Sequence, residues 1–134
     1  MESLKKECEE AISSLGYALC LVKKFRPDAP ILEYALGGIS QGFIETDGFV
    51  AQPVHFVNYI TNEDDCISVK RIDYKKDELT EDTNIVMWKY KDDIQFVIMN
   101  KDGDVIWDPS GNSDTVKYGE PVSIRRFITK QNIG

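Results

Sequence analysis

The chain has one histidine, His55, among its 134 residues. Histidine is the usual general base at neutral pH and the commonest metal ligand, so a single copy leaves most catalytic constellations without a member. The three cysteines, Cys8, Cys20 and Cys66, include no Cys-x-x-Cys pair. Three scattered thiols and one imidazole give no clustered ligand pair for zinc. We therefore expect no bound metal and a reducing environment of the cytoplasmic type.

Long apolar runs and an excess of basic residues are also missing. The longest apolar run is only a few residues, far below the roughly 20 that span a bilayer, and the chain opens with MESLKKECEE rather than a signal peptide. The 16 basic and 23 acidic side chains give a net charge of −7, which repels a phosphate backbone. These features predict a protein of the cytoplasm, or of a host cytoplasm if it is viral, that binds neither nucleic acid nor membrane.

Two polar segments imitate ion-binding motifs without completing them. The consecutive acidic residues 63–65 would diverge on either a helix or a strand. Asn100, Asp102 and Asp104 have the spacing of the first ligands of a calcium loop, but the required glycine is misplaced and the final glutamate is missing. The glycines of 37–42 lack the Lys-Ser/Thr of a phosphate loop. We interpret the two ion-like segments as turns and predict no cofactor.

The composition, 42% hydrophobic and 29% charged, is that of one globular domain over residues 1–134. Apolar spacing in the first half predicts four helices. These cover residues 1–14, 17–25, 28–36 and 53–60. Gly16 is expected to interrupt the first two, and Gly37-Gly38 to end the third, whose N-cap would be Asp28.

The hydrophobic period changes from about 3.6 to 2 after residue 65, which predicts strands. Six segments qualify: 67–69, 84–90, 94–99, 105–107, 115–118 and 122–127. Helices first and an antiparallel sheet afterwards indicate an α+β chain rather than a βαβ wound one. The pair Arg125-Arg126, with Lys130, forms a small basic end that is interpreted either as a solvated strand edge or as a contact for an acidic partner.

The most informative motifs lie in the carboxy-terminal half. The strand IQFVIM of 94–99 is followed by a turn and then by DVIWDPSG. This order resembles the bacteriocin-processing (double-glycine leader) peptidases of the papain-like cysteine peptidase superfamily, in which a His-Phe-Val strand precedes a hairpin and an Asp-Pro motif. Leu15-Gly16-Tyr17-Ala18 resembles the Cys-Gly-x-Ala that opens their buried helix. The resemblance implies a papain-like fold, with a core over 15–128 and a tail over 129–134.

The resemblance also implies where the catalytic site of the family would lie and that two of its three residues are replaced. In that family a cysteine is the nucleophile, a histidine the base, and an aspartate orients the histidine. Leu15 stands at the cysteine position, Gln95 at the histidine position, and Asp108 at the aspartate position. Leucine offers no nucleophile, and a neutral amide takes no proton from a thiol. The resemblance therefore implies a catalytically inactive relative, acting as a binding or assembly module for a protein or peptide partner.

Two other functions stay open. Cys20 could be the nucleophile of an active cysteine peptidase, with the base supplied by His55, whose His55-Phe56-Val57 copies the family's strand motif outside the predicted sheet. The chain could instead be a structural subunit of a larger assembly, such as one of phage origin.

Three aromatic residues are candidates for a partner surface. Trp88 and Tyr90 share one strand face by the period-2 rule, and Trp107 lies beside the turn of Asp108. Aromatic side chains are enriched at binding hot spots, but small sheets also use them to fill a core against helices. These three side chains are therefore expected either at a partner surface or in the core.

Overall fold

The computed structural model describes residues 15–111 and 113–131. The helix predicted over 1–14, including Cys8, and the last residues of the predicted tail lie outside this part of the chain. In chain order the elements are α1 (Gly16–Phe25), α2 (Ile31–Ser40), α3 (Pro53–Thr61), β1 (Cys66–Asp73), a 3₁₀ turn (Lys76–Glu78), β2 (Asn84–Tyr90), β3 (Asp93–Met99), β4 (Val105–Trp107), α4 (Asp114–Tyr118) and β5 (Glu120–Thr129).

The five strands form one antiparallel sheet in the order β1-β5-β2-β3-β4. Strands β2, β3 and β4 follow one another, and the turn before β4 is held by Asn100 Oδ1, which accepts the N–H groups of Asp102 and Asp104 at 3.0 and 2.9 Å. The last strand, β5, returns to lie between β1 and β2. The helices that precede the antiparallel sheet in the described part of the chain confirm the predicted α+β class.

The helices cover one face of the sheet and leave a smaller core on the other. The larger core joins α1 and α3 to the sheet through fully or almost fully buried side chains, among them Ala18, Cys20, Leu21, Val22, Phe56, Ile60, Ile85, Ile98 and Phe127. The second core consists of Leu79, Val86, Val97, Met99 and Ile124, with Trp88 and Val116 packed against it. Alternate residues of β2 and β3 therefore point into different cores, as a strand buried on both faces requires.

Helix α2 begins later and ends later than predicted. It begins at Ile31 after Pro30 and continues through Gly37-Gly38 to Ser40. The glycines do not stop the helix because α3 packs directly on them. A Cβ atom on Gly38 would lie 2.5 Å from Phe56 Cε1 and 2.7 Å from Ile44 Cδ1, and one on Gly37 would overlap the hydroxyl of Tyr59. The missing side chains allow close helix contact rather than a chain reversal.

Two further boundaries differ from prediction. Helix α1 begins at Gly16, one residue before the predicted start, with Leu15 as its N-cap residue. Residues 115–118 are not a strand but part of the short helix α4, because Ser113 caps it and accepts the N–H of Val116 at 3.4 Å. Strand β5 ends at Thr129, inside the predicted tail. No helix in 15–111 or 113–131 is long and apolar enough to cross a membrane.

Candidate functional site

Strand β3 and the segment after β4 bring Gln95 and Asp108 together. The two strands pair antiparallel, with Ile98 opposite Trp107, so residues before the one and after the other lie side by side. Gln95 Nε2 donates to Asp108 Oδ1 at 2.9 Å and to Ser110 Oγ at 2.6 Å. The geometry thus joins the two residues that the motif singles out. We call them the Gln95–Asp108 pair.

Asp108 is fixed by the turn that it organises. Its Oδ1 also accepts the N–H of Ser110 at 2.9 Å, and its Oδ2 accepts both the N–H and the hydroxyl of Ser113, at 3.1 and 2.9 Å. With Gln95, these donors supply four hydrogen bonds to one carboxylate, which can accept about four. The carboxylate therefore both orients Gln95 and holds the start of α4.

The buried helix α1 begins against Gln95. A Cβ atom on Gly16 would lie 2.9 Å from Gln95 Oε1 and 3.9 Å from the backbone N of Phe96. Gln95 is 2% exposed, and its Oε1 has no hydrogen-bond partner among the described residues. Leu15, which precedes Gly16, packs against the larger core. The three positions of the resemblance therefore lie where α1 meets β3, with an apolar side chain at the first and an amide at the second.

Cys20 and His55 have different surroundings. Cys20 is completely buried in α1, and burial raises the pKa of its thiol well above the ordinary value, with Asp108 acting in the same direction. His55 is exposed on α3, where its ring stacks on Phe43 with centroids 6.1 Å apart. No hydrogen bond joins Cys20 to His55 in the described part of the chain. A buried neutral thiol is inert, so this geometry gives the active peptidase no support.

The three aromatic candidates do not share one surface. Trp88 packs against the second core, and its buried Nε1 has no hydrogen-bond partner in the described residues. Tyr90 contacts Tyr118 of α4, with ring centroids 5.9 Å apart. Trp107 packs against the larger core, and Lys23 Nζ lies 5.9 Å from its ring centroid. All three are half-buried, and their positions fit core and core-edge roles.

A cavity of about 500 Å³ is lined by Ile94 and Phe96, the two neighbours of Gln95 on β3, but not by Gln95 or Asp108. Tyr17, next to Gly16, and Phe96, next to Gln95, stack in its wall with ring centroids 4.7 Å apart. Arg71 of β1 and Arg125 of β5 also line it, and we call it the Arg71–Arg125 cavity. The sequence reasoning missed it because its walls come from the pairing of β1 with β5, which no local pattern predicts.

Ser110 and Ser113 were also missed, although a signal for them exists. An aspartate followed two residues later by serine is typical of a turn in which the carboxylate accepts the backbone N–H. Serine before an acidic residue is typical of a helix N-cap. Both signals occur in DPSGNSD, residues 108–114. Within residues 15–111 and 113–131, no three His, Cys, Asp or Glu side chains are placed so that they could hold a metal ion together.

Fold and site together define an α+β domain in which a buried helix begins against a glutamine–aspartate pair on an antiparallel sheet. Residues 5–129 match the family described as "Protein of unknown function, DUF261", and the chain belongs to that family. No curated protein and no solved structure matches the chain.

Proposed function

We propose that this protein is a catalytically inactive relative of the papain-like cysteine peptidases that binds a protein or peptide segment. One observation carries the proposal: Gln95 lies between Asp108, to which it donates a hydrogen bond, and Gly16 at the start of the buried helix α1. In the peptidases that the motifs resemble, the base occupies this position between the aspartate and the cysteine of the helix start. The order of the three elements is therefore kept while their chemistry is lost.

The remaining groups do not support turnover. Leu15 has no nucleophilic atom, and the amide of Gln95 has no basic nitrogen to take a proton. Cys20 is buried, and its raised pKa keeps it protonated at neutral pH. Asp108 keeps only its orienting role. Removal of the nucleophile and base leaves the recognition surface of a peptidase without its reaction.

The Arg71–Arg125 cavity supplies a place for the bound segment. Its wall begins at Tyr17 and Phe96, the residues that follow Gly16 and Gln95. A cavity of this size is in the range of small-ligand sites, which are concave and mostly apolar with a few polar groups. We propose that a peptide lies in this cavity, against the ring of Phe96 that follows Gln95 on β3. The buried free thiols of Cys20 and Cys66 support a reducing, cytoplasmic location.

Restoring the lost residues tests the assignment. The test measures the pH profile of alkylation by iodoacetamide in a background of Cys8→Ser and Cys66→Ser. We expect the midpoint of this profile to lie at least one pH unit lower for Leu15→Cys with Gln95→His than for Leu15→Cys alone. The reason is that an imidazolium beside a helix N-terminus stabilises the thiolate. Adding Asp108→Asn should reverse part of the shift.

Two results would contradict the proposal. Identical pH profiles of alkylation with and without Gln95→His would contradict the predicted juxtaposition. The wild-type chain, incubated with a peptide bearing a thiol-reactive group, should show neither cleavage nor labelling of Cys20. Labelling of Cys20 together with cleavage would instead establish an active peptidase.

A further inference from the structure

Two arginines face each other across the pairing of β1 and β5. Arg71 and Arg125 are direct partners in the register, so they project from the same face of the sheet. Like charges at directly opposite positions destabilise a sheet. Both side chains line the same cavity, on a chain whose net charge is −7. Repulsion between two guanidinium groups on an otherwise acidic protein points to an anionic partner for the two arginines.

The described part of the chain supplies no such partner. Neither arginine takes part in any of its ion pairs. Arg125 donates to Ser123 Oγ at 2.8 Å and lies over the ring of Phe96, 5.2 Å from its centroid. Asp73, two residues beyond Arg71 on the same strand face, forms no ion pair with either arginine. Burial lowers the pKa of Arg125; Tyr17 opposes this and Arg71 adds to it, as expected for two cations that share a site.

The rest of the cavity is apolar, and its rim is open. Tyr17 and Phe96 form one wall, and burial raises the pKa of Tyr17 to about 12, so its ring stays neutral. Phe49 is 63% exposed and Ile94 is 48% exposed at the rim. Asp47 Oδ1 accepts the N–H of Phe49 at 3.0 Å, which holds the loop that carries this ring. Exposed apolar side chains around a concave site are typical of a binding surface.

We propose that the Arg71–Arg125 cavity binds an acidic peptide segment of a partner protein. One large apolar side chain fills the space between Tyr17, Phe49 and Phe96, and a neighbouring carboxylate lies between the two guanidinium groups. The inference rests on the proposed function in taking the ligand to be a peptide, and it adds the chemistry that the peptide needs.

Two capped peptides that differ at one position test the proposal. The probes are acetyl-Gly-Phe-Glu-Gly-Gly-amide and its Gln analogue, titrated into the isotope-labelled full-length protein and followed by amide chemical shifts. We expect the Glu peptide to bind about tenfold more tightly, because a charge-assisted hydrogen bond contributes about 1.5–3 kcal/mol. The preference should disappear in Arg71→Gln and in Arg125→Gln.

Lys70→Gln is the matched control. Lys70 is the neighbour of Arg71 on the other face of β1, and its replacement changes the net charge equally. This variant should keep the preference for the Glu peptide. Equal binding of the two peptides, no binding of either, or a preference that survives Arg71→Gln would overturn the proposal. So would shifts in residues 1–14, in addition to those near position 71, when Arg71→Gln is made without peptide, because the chain's own segment would then occupy the cavity.

The two proposals fail separately. If the cavity prefers the Glu peptide but Gln95→His leaves the reactivity of Leu15→Cys unchanged, the acidic-peptide site stands without a peptidase ancestry. If the alkylation profile shifts but the peptides bind alike, the peptidase relationship stands and the acidic-peptide site fails.

Discussion

Gln95 carries an unusual pattern of hydrogen bonds for a buried residue. Its Nε2 faces the carboxylate of Asp108, which only accepts hydrogen bonds, so Oε1 necessarily points the other way, towards α1. That oxygen has no partner among the described residues. A buried polar atom without a hydrogen bond costs about 1–3 kcal/mol. The amide is held by the Asp108 turn on one side and accommodated by the absent side chain of Gly16 on the other.

A double-mutant cycle tests this contact at the residue scale. We expect Gly16→Ala to destabilise the protein by about 1 kcal/mol, because the new Cβ displaces an amide fixed by two hydrogen bonds. In the Gln95→Ala background the same change should be neutral or stabilising, since alanine favours a helix by up to about 1 kcal/mol over glycine. Urea unfolding of the four proteins measures the coupling. Additive free energies would show that the two residues do not touch.

The buried thiol of Cys20 predicts a dependence of stability on pH. Its pKa is raised in the folded protein above the ordinary 9.0, so above pH 9 the unfolded chain releases a proton that the folded chain retains. Stability therefore falls with rising pH, by at most about 1.4 kcal/mol per pH unit from this group. Cys20→Ala lacks this thiol, so the difference in unfolding free energy between the wild type and the variant should become smaller between pH 8 and 10, as measured by urea unfolding.

Val22→Ala is the matched control for the thiol. Val22 is also completely buried in α1 but does not titrate, so its deficit in unfolding free energy should stay constant over the same pH range. A deficit of Cys20→Ala that is equally constant would refute the assigned titration.

At the scale of elements, helices α1 and α3 and strands β2, β3 and β4 were all predicted to within one residue. The segments 84–90 and 105–107 match β2 and β4 residue for residue, because apolar runs bounded by turn residues are strong strand signals. Gly37-Gly38 misled the prediction, since glycine pairs usually end helices but here allow α3 to pack on α2. Residues 115–118 were read as a strand from their β-branched and aromatic content, and the cap of Ser113 decided otherwise. Tertiary contact and capping overrode local propensity in both places.

The contact between α2 and α3 predicts a rescue. Gly37→Ala should destabilise the protein by about 1–3 kcal/mol, because its Cβ would overlap the Tyr59 hydroxyl. Tyr59→Phe removes that oxygen, so Gly37→Ala in this background should recover most of the loss. Gly38→Ala meets Phe56 and Ile44 instead, and Tyr59→Phe should not rescue it. Thermal and urea unfolding measure these differences, and equal behaviour of the two glycines would contradict the packing described.

At the scale of the whole molecule, the return of β5 was not predictable from the sequence. Period-2 patterns locate strands but do not say which strands pair when the partners are distant. Of the two interpretations of Arg125-Arg126, the solvated strand edge was wrong, because β5 is central. Arg125 lines the cavity, and Arg126 Nη2 donates to the carbonyl of Glu78 at 2.6 Å. The contact with an acidic partner stays a prediction. The Gln95–Asp108 pair was predictable because β3 and β4 form a local hairpin. The Arg71–Arg125 cavity was not, because it needs the register between β1 and β5.

The central position of β5 predicts an order of local stability across the sheet. Ile124 pairs with Ile72 on one side and Val86 on the other, and it is 1% exposed. Strand β4 has three residues, and among the described residues it pairs only with β3. Amides that lie between two paired strands exchange only when the whole domain unfolds, whereas a short edge strand opens locally. In native-state hydrogen exchange, the free energy of opening at the Ile124 amide should therefore equal the global free energy of unfolding and decrease as steeply with denaturant. The free energy of opening at the β4 amides should be smaller and should change little with denaturant. The same denaturant dependence for β4 and Ile124 would instead show that the sheet opens as one unit.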